Sequence, residues 1–194
     1  MLRKAIIGLC AFILTLSGAE ERHSPPKRES LRAYRKKILN PEAAARALAV
    51  AGFNTARNVP HEWGGGPAGF AKRAGSAFGQ HIVKGSIEMG VGALHHEDLS
   101  FQRSNLQGTW PRLKFAVKST FIVPRTNGSG KTVATGRIAG NVGAGLISRA
   151  WQPASTASLG AGLASGGIGM GADVGVHVAR EFWPRRKPKR TQGP

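Results

Sequence analysis

Apolar positions recur along this chain mostly at three- and four-residue steps, the spacing of helices that bury one face. Asn40-Pro41 opens the first such run: Asn suits an N-cap, Pro the first helical position and Glu42 the first turn. Ala44, Ala47, Leu48 and Ala51 carry the period towards Asn58, and Pro60 ends it. After a glycine- and proline-rich joint around Gly64-Gly65-Gly66-Pro67, the period resumes through Phe70, Ala74, Phe78, Ile82, Ile87, Val91 and Leu94. The stretch from Trp110 to Val123 reads two ways. Leu113, Phe115 and Val117 alternate as in a strand, whereas Leu113, Ala116, Val117, Thr120 and Phe121 fit a helix opened by Pro111, which is the preferred reading. Pro124 to Lys131 (PRTNGSGK) has turn chemistry and can join STFIV to TVATG as a hairpin. Helical spacing returns from Gly136 to Ala150 and again from Leu159 to Ala179.

Within three of these helices, small residues also recur at four-residue steps. The stripes are Ala71, Gly75 and Gly79; Gly136, Gly140, Ala144 and Ser148; and Gly167, Gly171 and Gly175 with Gly160, Ala164 and Ala179 nearby. A stripe without side chains lets another backbone come close. The expected fold is therefore mainly α: one bundle of about four or five helices packed through glycine and alanine, with a short β-hairpin allowed near 120–135. Gly75, Gly79, Gly136, Gly140, Gly167, Gly171 and Gly175 are the expected packing positions. On this reading Gly171→Leu breaks the assembly.

Composition adds location. Arg3 and Lys4, the apolar run Ala5–Leu16 and the small residues Ser17-Gly18-Ala19 read as a secretory signal over 1–19. A basic polar lead-in (20–40), the helical domain (41–184) and a basic tail (185–194) follow. The expected destination is the periplasm or cell envelope. The one cysteine, Cys10, falls inside the leader, so the exported chain has neither disulfide nor thiol chemistry. The net charge of +18 favours anionic surfaces. Arg185, Arg186, Lys187, Lys189 and Arg190 in the tail are candidate contacts with anionic lipid, and Trp151 and Trp183 suit an interfacial position. Nucleic acid is the weaker partner for an exported chain.

Motifs for chemistry are sparse. Gly128-Ser129-Gly130-Lys131-Thr132 matches only half of a phosphate-binding loop, because Arg125 stands where a glycine is needed. His61, Glu62, His95, His96 and Glu97 are the candidate metal ligands, although adjacent side chains point in different directions and a polar helix end is the plainer account. No cofactor is implied. Asp173 and His177 lie four apart on one helical face and read as a structural polar pair, with Asp173 free to engage Arg137 or Arg149 instead. They also make Leu159–Ala179 costly as a membrane span.

His61-Glu62-Trp63-Gly64, Ala71-Lys72-Arg73, His96-Glu97-Asp98, Ala134–Gly140 (ATGRIAG), Ser148–Pro153 (SRAWQP) and Arg180–Pro184 (REFWP) resemble the ordered motifs of a family of uncharacterised exported bacterial proteins. The resemblance covers roughly 54–184, implies export and a single domain, and brings no activity with it. The reading preferred here is a non-catalytic envelope protein that associates with a membrane surface, another envelope protein or a second copy through its glycine-rich helices and basic ends. A metal-dependent hydrolase using the His/Glu cluster and a polyanion-binding protein using the tails are the alternatives.

Overall fold

Five helices and one small hairpin make up the structure, a computed structural model that describes residues 39–128 and 130–184. The leader, all but the end of the lead-in, and the tail with Arg185, Arg186, Lys187, Lys189 and Arg190 lie outside the described residues.

Helix α1 (Pro41–Ala56) starts as its sequence dictates: the Asn40 side chain accepts from the Ala43 N–H at 2.6 Å. A turn of 3-10 helix, His61–Trp63, leads into α2 (Gly66–Leu94). Buried Arg73 holds this joint in place. Its guanidinium donates to the Val59, Pro60 and Gly64 carbonyls at 2.9, 2.8 and 2.7 Å and to the Asn58 side chain at 3.2 Å. Helix α3 (Thr109–Phe121) runs into strand β1 (Ile122–Pro124), which pairs antiparallel with β2 (Lys131–Val133) in the register Ile122 to Val133. The alternation Leu113–Phe115–Val117 is thus helical, and the strands are three residues each because α3 continues through Phe121.

Helix α4 (Thr135–Ser148) is central. It lies against both α2 and α5 (Leu159–Phe182), while α1 packs on α2 and α3 on α5. Gly136 and Gly140 do what their spacing predicts. A β-carbon at Gly136 would stand 2.8 Å from the Gly92 nitrogen, and one at Gly140 would stand 2.9 Å from the Lys84 carbonyl. On the other side of α4, a β-carbon at Gly145 would stand 2.8 Å from the Gly166 nitrogen. Backbone meets backbone at both crossings.

The other expected packing glycines are corrected. Nothing lies within 4 Å of a β-carbon at Gly75, Gly167, Gly171 or Gly175, and one at Gly79 would meet only the Trp151 ring, at 3.8 Å. In α5 the inward stripe is Gly162, Gly166, Asp173, His177 and Glu181. Both stripes have helical spacing, so spacing cannot choose between them. The charged groups choose: Asp173 and Glu181 need partners that only the interior supplies, and the helix turns that face inward.

The core is correspondingly unusual. Its buried hydrophobic residues are Ala43, Ala47, Ala51, Ala116, Ala134, Ala144 and Val123. The largest fully buried side chains include Arg73 and Glu181. Phe78, Ile82, Phe101, Phe115 and Leu146 are half-buried around it, while Leu94, Trp110 and Ile168 are exposed.

Candidate functional site

Two features could carry function: the polar network inside the helices and the apolar surface outside them. Asp173 is the centre of the network. Lys84 from α2 donates to its two carboxylate oxygens at 2.6 and 2.5 Å, and Asn141 from α4 donates at 2.8 Å. Arg46 of α1 approaches to 3.9 Å. Burial by itself pushes the Asp173 carboxyl up, but Lys84, Asn141 and Arg137 outweigh it and hold it below the usual carboxylate value. Glu42 bridges Arg46 at 3.0 Å and Arg180 at 2.7 Å, so charges alternate from the end of α5 through α1 to α2. A cleft of about 140 Å³ lies over this cluster, bordered by Arg46, Gln80, His81, Lys84, Ser165 and Asp173.

One turn further along α5, the His177 Nδ1 sits 2.9 Å from the Thr120 hydroxyl, and Phe101 stacks on the ring at a centroid distance of 4.6 Å. Burial, seconded by the Arg137 charge, lowers the His177 pKa to about 4, so the imidazole is neutral at pH 7. Asp173 and His177 therefore share a face, as expected, but each makes its bonds to other helices rather than forming a pair. Arg137 is not the hydrogen-bond partner of Asp173: its guanidinium donates to the Thr120 and Leu99 carbonyls at 2.6 and 2.8 Å. Arg149 donates to the Ala157 carbonyl at 2.6 Å.

The expected metal cluster is not assembled. His61 and Glu62 precede α2 and His95, His96 and Glu97 follow it, and a helix of 29 residues separates the two ends by about 43 Å at 1.5 Å per residue. Glu97 has another task. Its carboxylate accepts from the Gly136 N–H at 2.9 Å, the Thr135 N–H at 3.0 Å and the Thr135 hydroxyl, capping the amino terminus of α4. Its neighbours bind the hairpin through their backbones, Asp98 N–H to the Pro124 carbonyl and Thr126 N–H to the His96 carbonyl. Among the described residues no three His, Cys, Asp or Glu side chains are grouped to hold a metal ion.

The outer face of α5 is the counterpart of its polar interior. Leu159, Leu163, Ala164, Gly167, Ile168, Gly171, Ala172, Gly175 and Ala179 are all exposed, and no charge interrupts them over about 30 Å of helix. Ile168 is 74% exposed. Phe53, Leu94, Trp110 and Trp183 stand out from other elements in the same way. Meanwhile four of the seven acidic side chains among the described residues, Glu88, Glu97, Asp173 and Glu181, are buried. Inward-facing acids leave the surface even more basic than composition implies. No helix among the described residues is long and apolar enough to cross a membrane.

Sequence reasoning missed Lys84, Asn141 and Glu181. The signal was present: Asp173, His177 and Glu181 stand at four-residue steps in a helix that is otherwise almost uncharged. The chain matches no family model, no curated protein and no solved structure.

Proposed function

We propose that this is a non-catalytic protein of the cell envelope that docks on an anionic membrane surface, with the outer face of α5 lying along the lipid interface. The observation that carries the reading is the continuous uncharged outer face of α5. Apart from Val123, the fully buried hydrophobic residues are alanines, while Ile168, Trp183, Leu94, Trp110 and Phe53 are each more than 60% exposed. Isolated exposed apolar residues are ordinary on protein surfaces. A continuous uncharged face about 30 Å long on a strongly basic protein is not, and it matches the chemistry of helices that lie in the headgroup region. The +18 charge supplies attraction to anionic lipid, and Trp151 and Trp183 are suited to its interface. Export by the leader would deliver the protein to such a surface.

Co-sedimentation of the purified protein with vesicles tests this. Partitioning is expected onto phosphatidylglycerol-containing vesicles and much less onto phosphatidylcholine alone. Ile168→Asp and Leu163→Asp should weaken it at least tenfold without lowering thermal stability. Equal partitioning of these variants and the parent protein would refute the assignment of α5.

A further inference from the structure

At the carboxyl end of α5, the loop before α3 and the Phe182-Trp183-Pro184 segment enclose a polar pocket of about 400 Å³. Arg103, Ser104, Asn105 and Arg112 supply its polar groups, and Leu106 and Trp183 its apolar rim. Two guanidinium groups in one pocket suggest an anion, because their planar forks match phosphate and carboxylate oxygens.

The two arginines differ. Arg112 is already neutralised: its Nε donates to Glu181 at 3.0 Å, another nitrogen donates to the Glu181 carbonyl, and its guanidinium lies over the Phe182 ring at 4.5 Å. Glu181 is fully buried and also accepts from the Ser104 N–H and hydroxyl, at 3.0 and 2.6 Å. These bonds fix the loop and set Arg112 in place. Arg103, half-buried on the same loop, has no hydrogen-bond or ion-pair partner among the described residues. Its charge is uncompensated in a pocket already organised by its neighbours. A helix carboxyl end ordinarily repels anions, yet here Arg112 covers the Glu181 carbonyl. The amino-terminal turn of α3, which carries Arg112 and has no side-chain cap, adds its positive end nearby.

The rim selects among anions. Trp183 is 69% exposed and Leu106 about half exposed, directly beside the guanidinium groups. A free phosphate has no use for them; a phosphate that carries acyl chains does. We infer that this pocket binds the phosphate of an anionic phospholipid headgroup, with Arg103 as its principal ligand, Arg112 and Asn105 assisting, and Trp183 and Leu106 entering the interface beside it. This rests on the membrane-docking reading above and assigns it a specific headgroup site.

Vesicle titrations of the full chain decide it, with Lys72→Gln as a remote substitution of equal charge. Arg103→Gln should weaken binding to phosphatidylglycerol-containing vesicles about tenfold, and Lys72→Gln less than twofold. Trp183→Ala should weaken it severalfold, and the blue shift of tryptophan emission on binding should be smaller in Trp183→Phe than in the parent protein or in Trp151→Phe. Thermal melting confirms that the variants fold, and Asn105→Ala gives a second route to the pocket should Arg103→Gln be unstable. Equal losses for Arg103→Gln and Lys72→Gln would overturn the pocket while leaving surface docking intact. No vesicle binding by the parent protein would overturn both. Arg103-dependent binding of inorganic phosphate without vesicle binding would overturn the lipid assignment.

Discussion

Along α4, Gly136 and Gly140 lie against α2 and Gly145 against α5, and none of them has room for a β-carbon. Along α5, Gly167, Gly171 and Gly175 have the same spacing and meet nothing within 4 Å. The two sets are chemically identical, so their difference comes from their neighbours. On α4 the glycines alternate with Arg137, Asn141 and Ser148, which are buried and bonded. On α5 the outward glycines lie opposite Asp173, His177 and Glu181, whose partners are all inside. Small residues permit close approach, but polar groups that need partners decide which face is used.

The largest expected effect is at the tight crossing. Gly145→Leu places a branched side chain where two backbones already touch, and should destabilise by at least about 4 kcal/mol in urea denaturation. Gly171→Leu, disruptive if the sequence reading of α5 were right, should instead change stability by less than about 1 kcal/mol, in the stabilising direction because glycine is the poorer helix former. Similar losses for the two variants would erase the distinction between the faces.

Asp173→Ala tests whether the polar stripe is what orients α5. It leaves half-buried Lys84 without its carboxylate and should cost about 3 kcal/mol. Asp173→Asn, which keeps the shape and the bond from Lys84, should cost less.

The same stripe predicts a dependence on pH. His177 has a folded pKa of about 4, below the 6.5 of an exposed imidazole, so at intermediate pH the unfolded chain binds the extra proton more readily than the folded one. Its contribution is complete above pH 6.5 and disappears as the pH falls to 4, a loss of about 3 kcal/mol. Denaturation at several pH values should show this loss in the parent protein and not in His177→Gln. The depressed Asp173 carboxyl keeps its stabilisation above the ordinary carboxylate value and loses it as the pH falls below that range.

A smaller loss is expected at the entry to α4. Glu97→Ala removes the carboxylate that caps the Thr135 and Gly136 amides, and should cost about 1–2 kcal/mol. If Glu97 were a metal ligand instead, added zinc would stabilise the parent protein and not the variant; no such difference is expected.

The five helices were legible because their signals are local. Asn40-Pro41, the glycine-proline joint at Gly66-Pro67 and the helical spacing from Phe70 to Leu94 fix ends and periods without help from the rest of the chain. The hairpin was legible for the same reason, since Asn127-Gly128 supplies turn chemistry between two β-prone runs. The pocket at Arg103 was not. It joins a loop, the first turn of α3 and the end of α5, with Ser104 and Glu181 separated by 77 positions.

By itself, the sequence determined that the chain is mainly helical, where the helices begin, and that glycine lets two of them meet at Gly136 and Gly140. Tertiary structure decided which side of α5 faces inward, that Glu97 caps α4, and that Lys84 and Asn141 are the partners of Asp173. The physical reason is one of range. Helical periodicity and capping act over three or four residues and can be read along the chain, whereas a buried charge is stabilised by whichever group folding brings to it. In this protein those groups lie 32 and 89 positions away from Asp173.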